Sequence, residues 1–181
     1  MLPLKHTLYG AMAELTEIIR YHKNVQRMWE LNSTRIITNG SAEHASVLIE
    51  SFLANAQRKI EIFCHDLSAK VYDKESFIRK TKQALQRGVE IEIVSQNKPS
   101  HKSEFMNTYS DLIKEFPISL KFCKNGSTAE SEKMNFAVCD SNAYRAEEDY
   151  NKTEAIACLN DPATSQALSN YFKRLSCSAF N

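Results

Sequence analysis

The sequence predicts an α/β fold, a mixed β-sheet flanked by helices and preceded by an N-terminal amphipathic helix. Three observations carry that prediction. Two alternating runs, Lys59 to Cys64 and Val89 to Val94, are separated by a stretch of helical spacing, the order expected of two parallel neighbours joined by a crossover. Beyond Pro117, four more alternating or apolar runs follow one another closely between turn-rich segments, as strands do. From Leu8 to Leu31, apolar residues recur at helical intervals, at Leu8, Met12, Leu15, Ile18, Ile19, Val25, Met28, Trp29 and Leu31.

That first stretch predicts one long helix, or two with a bend near His22, and defines an N-terminal helical extension over 1–33 ahead of an α/β domain over 34–181. Thr34 to Thr38 reads as a short strand, and Asn39-Gly40-Ser41 then offers an N-cap for a helix over 42–58. After the Lys59 strand, Asp73 is placed to cap a helix that Gly88 ends in the left-handed conformation glycine allows. Gln96 to Lys102 is a polar loop. Ser103 to Glu115 follows as a helix stopped by Pro117. The later strands are expected at 118–123, 134–139, 143–146 and 154–159. A last helix starts at Asp161-Pro162, where the acid can cap and the proline fits the first turn. The expected core comprises Leu48, Phe52, Ile60, Ile62, Phe77, Leu85, Ile91, Ile93, Leu120, Phe122, Phe136, Val138, Ile156, Leu168 and Phe172.

Composition narrows the function. At 181 residues, with 43% hydrophobic and 25% charged residues and only four Gly and four Pro, the chain has enough apolar content for one core and too little turn residue for a disordered or fibrous protein. Lys and Arg number 23 against 22 Asp and Glu, a net charge of +1, so no global field draws in nucleic acid or anionic lipid and any polyanion site must be local. The five cysteines are widely spaced, without paired or His-flanked metal-ligand spacing, and read as buried free thiols. No apolar run approaches the roughly 20 residues a bilayer needs, so the expectation is a cytoplasmic protein without membrane insertion, cofactor or metal.

Two segments carry a resemblance. Ala54-Asn-Ala-Gln-Arg-Lys-Ile-Glu-Ile-Phe-Cys64 and Lys133-Met-Asn-Phe-Ala-Val-Cys-Asp140, in this order of elements, resemble the first helix and strand and the catalytic strand of one half of the phospholipase D superfamily. In active members the second segment reads His, any residue, Lys, four residues, Asp. The resemblance implies a histidine nucleophile, a lysine that neutralises the phosphate and an aspartate that orients the histidine. Aligned on Asp140, this chain holds Lys133 at the histidine position and Asn135 at the lysine position. None of His6, His22, His44, His65 and His101 has a lysine two places on.

Lys133, Asn135 and Arg145 are therefore candidates for a remnant phosphate or anion pocket, with His65 and Asp140 the catalytic candidates should activity survive. His65-Asp66 follows the first core strand, where α/β sites gather. Arg79, Lys80, Lys82 and Arg87 form a basic run that could meet nucleic-acid phosphates or mark a solvated face. The leading expectation is a catalytically inactive phospholipase D-like module used for binding or assembly, as a homodimer whose contact includes Ile18, Val25, Met28 and Trp29. The alternatives are a phosphodiesterase or nuclease working through a displaced histidine such as His65, and a nucleic-acid-binding regulator; a protein partner is the other occupant expected.

Overall fold

A computed structural model describes residues 3–99, 103–152 and 154–180. His101 and the end of the expected 96–102 loop lie outside the described residues. Fourteen elements follow one another among them: α1 (Pro3–Glu30), β1 (Ile37–Asn39), α2 (Ala42–Asn55), β2 (Lys59–Cys64), α3 (Ala69–Tyr72), α4 (Glu75–Gln86), β3 (Glu90–Ser95), α5 (Glu104–Glu115), β4 (Ile118–Cys123), β5 (Asn135–Cys139), β6 (Ala143–Glu147), β7 (Ala155–Cys158), α6 (Pro162–Ser176) and β8 (Ala179–Phe180). The strands form one mixed sheet in the order β1-β7-β6-β5-β2-β3-β4-β8. β2, β3 and β4 are parallel, and every other pairing is antiparallel.

Strand alternation sorts side chains onto two faces. Ile60, Ile62, Ile91, Ile93, Leu120 and Ala137 turn to one face, which the buried sides of α2, α4 and α5 cover through Leu48, Phe52, Phe77, Leu85 and Leu112. Phe63, Val94, Phe136 and Val138 turn to the other, where α6 supplies Phe172 and Leu175. Of the expected core, Phe122 and Leu168 are only partly buried, at the margins of these two clusters. Ile156 is a correction: it is 43% exposed. It pairs with Thr38 and Ala146 at the β1 end of the sheet, whereas α6 packs on β2, β5 and β6.

The helix ends follow local chemistry, with one exception. Ser41, Ser103 and Asp161 each cap the following helix through a side-chain oxygen, Pro162 occupies the first turn of α6, and Gly88 takes φ +85 after α4. Asp73 does not cap α4; Lys74 stands at that cap without a side-chain bond. The Asp73 carboxylate instead accepts from Ser103 Oγ at 2.7 Å and from Phe105 N at 3.1 Å, tying the start of α4 to the start of α5. The adjacent segment is more locally ordered than expected, since α3 forms a single turn ahead of it.

α1 is one helix with no break at His22, about 42 Å long at 1.5 Å per residue. Its C-terminal half packs within the chain: Val25 and Met28 are buried, Trp29 sets its ring edge-on to Phe52 at 6.1 Å, and Trp29 Nε1 donates to Ser51 Oγ at 3.1 Å. The expected intersubunit contact at Val25, Met28 and Trp29 is thus corrected, because α2 already covers those residues. Met12, Leu15 and Ile19 in the N-terminal half remain exposed. No helix among the described residues is long and apolar enough to cross a membrane. Four cysteines are buried and free as expected, whereas Cys177, just past α6, is exposed.

Candidate functional site

β2 and β5 run antiparallel, with Phe63 opposite Phe136 and Ile60 opposite Cys139. The carboxyl end of β2 therefore meets the start of β5, and a cavity of about 230 Å³ opens there. Its lining includes His65, Asp66, Tyr72, Asn135, Arg145, Glu147 and Tyr150, together with the first turn of α2. Three of the five candidate residues, His65, Asn135 and Arg145, meet at this cavity, and Lys133 and Asp140 do not line it.

Asn135 bridges two neighbours. Its Oδ1 accepts from the His65 backbone N–H at 2.6 Å, and its Nδ2 donates to Glu147 Oε2 at 3.0 Å. Arg145 and Glu147, two apart on β6, share a face and are both buried. Arg145 Nη1 lies 3.5 Å from Glu147 Oε2, and Arg145 Nε donates to Asn39 Oδ1 at 3.3 Å. Asn39 is held in turn by its own bond to the Ala155 carbonyl at 3.1 Å.

His65 is fixed from three sides. Gln96 Nε2 reaches the carbonyl oxygens of Ala129, Glu130 and Glu132, which assigns the other amide atom, Oε1, as the acceptor facing His65 Nδ1 at 2.6 Å. Nδ1 thus carries the proton in the neutral ring. Nε2 is left as the acceptor and meets Asn97 Nδ2 at 3.2 Å. The ring stacks on Tyr150, centroids 3.8 Å apart and planes 16° apart. His65 and Asp66, adjacent in sequence, are not bonded to each other: the histidine's partners are Gln96, Asn97 and Tyr150, and Asp66 stands exposed at the rim.

Lys133 is exposed, and its backbone accepts from Tyr150 N and donates to Glu132. Asp140 stands past the far end of β5, about 16 Å from Asn135 at 3.3 Å per strand residue. There its carboxylate accepts the backbone N–H groups of Gln57, Arg58 and Lys59 at 2.7, 2.8 and 2.8 Å. It fixes the entry to β2 in a tight turn where Asp140 and Ser141 both have positive φ, 53 and 57. Cys64 also lines the cavity, and burial pushes its thiol up to about 12, so it stays protonated at neutral pH. Burial likewise pushes the Tyr72 hydroxyl well above its ordinary value. The basic run on α4 is partly consumed by structure: Lys80 pairs with Glu50 at 2.8 Å, and Arg87 donates to the Leu53 carbonyl at 2.6 Å.

Sequence reasoning missed Asn39, Gln96, Glu147 and Tyr150 as members of this site. Glu147 had a signal, since residues two apart on a strand share a face and Arg145 already stood out. Gln96 and Tyr150 come from loops that only the fold brings together.

The same architecture recurs in solved structures. TrmBL2, an archaeal chromatin protein with a novel mode of DNA binding, superposes with a TM-score of 0.62 at 15% identity, over 97% of this chain and 68% of its own. Nuc, a phospholipase D family member from Salmonella typhimurium, matches at 0.57 and 14% identity, over 80% of this chain and 95% of its own. NucT from Helicobacter pylori matches at 0.58 and 14%, over 81% and 99%. A match over 97% of the chain must take in most of α1, whereas the two Nuc-type matches leave out a share about the size of α1. At these identities the likeness establishes a phospholipase D-like fold. No curated protein matches the sequence. Over residues 41–177 the sequence matches the family described as a domain of unknown function, DUF7931, and the chain belongs to that family.

Proposed function

We propose that this protein is a phospholipase D-like module that binds at the β2–β5 cavity without hydrolysing phosphodiesters. The observation that carries the reading is the state of the polar groups there. Hydrolysis through a covalent intermediate needs a free imidazole lone pair beside a cation. Asn135 stands where the resemblance expects the lysine, and both halves of its amide are spent on His65 N and Glu147. Both ring nitrogens of His65 have partners, and the exposed Lys133 lines no part of the cavity.

The anion pocket drawn from Lys133, Asn135 and Arg145 is weakened by the same geometry. Arg145 is the lining's one fixed cation, and Glu147 pairs with it while Asp66 adds a second negative charge. The first turn of α2 contributes only a fractional positive potential.

For assembly, the reading is a homodimer through the N-terminal half of α1. Met12, Leu15 and Ile19 form an exposed apolar stripe, and Glu14 and Glu17 precede Arg20, Lys23 and Arg27 along the helix. A second copy laid along this stripe would cover it. A DNA-binding role is the second reading, favoured by the likeness to TrmBL2 that extends through α1.

Turnover of bis-p-nitrophenyl phosphate and of single- and double-stranded DNA tests the main claim. The expected result is no metal-independent hydrolysis above background. Hydrolysis that vanishes in His65→Ala would replace this reading with a displaced-histidine phosphodiesterase.

A further inference from the structure

Arg145 and Glu147 are nine-tenths buried or more, yet neither is saturated. A guanidinium has five N–H donors, and Arg145 uses two of them in long bonds, to Asn39 at 3.3 Å and to Glu147 at 3.5 Å. Glu147 accepts through Oε2 alone, from Asn135 and Arg145. Its Oε1 and Arg145 Nη2 have no protein partner among the described residues, and neither atom is sealed from the cavity. A donor and an acceptor thus stand side by side open to the cavity, where water or a ligand completes their bonds.

We propose that the cavity takes a neutral polyhydroxylated ligand, gripped by two adjacent hydroxyls between Arg145 and Glu147. One hydroxyl oxygen accepts from the guanidinium while its neighbour donates to Glu147 Oε1, so the ion pair stays intact and both orphan atoms are satisfied. A phosphodiester offers only acceptors, and any phosphate meets Glu147 and Asp66 as like charges. A small zwitterion needs the two side chains parted so that each can face its opposite. The walls suit a ring with C–H groups, since Tyr72, Tyr150 and the His65 ring stacked on Tyr150 all line the cavity. The inference deepens the binding reading above and rests on it.

The experiment titrates the 181-residue chain with myo-inositol, methyl glucoside, inorganic phosphate and glycine, reading isothermal heats and the ¹⁵N-resolved Nε–H signal of Arg145. Saturable binding of a polyol at one per chain, with a shifted Arg145 signal, is expected, and Glu147→Gln should weaken it about tenfold or more. Lys114→Gln, exposed on α5 and outside the cavity lining, should leave polyol binding unchanged, and the Arg145 signal of the unaltered protein decides the test should Glu147→Gln fail to fold. Tighter binding of phosphate or glycine than of either polyol, or no polyol binding up to about 50 mM, would overturn the proposal. Because phosphodiester turnover is measured separately, loss of polyol binding in a non-hydrolysing protein defeats this inference and leaves the binding reading standing.

Discussion

Asp140 and His65 stand at opposite ends of the β2–β5 pair. The aspartate receives three backbone N–H groups at the entry to β2, and the histidine sits just past the strand's exit, backed by Tyr150. The resemblance assigns the aspartate the task of orienting a histidine. In this chain its bonds go to Gln57, Arg58 and Lys59, so its effect should be on folding. Asp140→Ala is expected to destabilise by about 3 kcal/mol or more, from lost charge-assisted bonds and from alanine at positive φ. Urea unfolding checks this, and the His65 ring signals should stay in place under native conditions. A displaced His65 resonance with unchanged stability would reverse the assignment.

Phe52 joins the front helix to the core, its ring fully buried and edge-on to Trp29. Phe52→Ala should cost about 3–5 kcal/mol. Because Trp29 is the chain's single tryptophan, its emission reports the same event, and a red shift at low denaturant is expected as the C-terminal half of α1 loosens.

Glu50 gives a pH signature. Burial pushes its carboxyl up, but bonds from Lys80, Ser76 and Ser46 outweigh that and hold it below the ordinary value of 4.5. A carboxyl lowered in the folded state stabilises fully above its unfolded value and loses that contribution as pH falls through the folded one. Thermal stability should therefore fall below about pH 4.5 more steeply in the native protein than in Glu50→Gln.

The homodimer predicts a mass near twice the 20.7 kDa chain in light scattering. Leu15→Glu combined with Ile19→Glu, both on the exposed half of α1, should return the single-chain mass without lowering the melting temperature. A native protein already at the single-chain mass at high concentration would remove the assembly reading.

Much of the fold was legible because it is local. Alternation placed β2 to β6, Gly88 and Pro117 set helix ends, and Asp161-Pro162 opened α6. What was not legible depends on the third dimension. Nothing in the run Lys124 to Lys133 announces that Gln96 will take three of the neighbouring carbonyls, or that Tyr150 will meet His65 across the cavity. Ile156 shows the same limit: its strand pattern is apolar, but burial depends on whether a helix reaches that edge of the sheet.

The central claim is that His65 does not attack phosphorus, and intact-mass spectrometry tests that bond directly, because an attack faster than the breakdown of its product leaves a phosphohistidine. The protein is incubated with excess bis-p-nitrophenyl phosphate, quenched in alkali and weighed. The account predicts the unmodified 20.7 kDa chain at all times. A mass increase of one nitrophenyl phosphoryl group that maps to His65 and is absent in His65→Ala would contradict it.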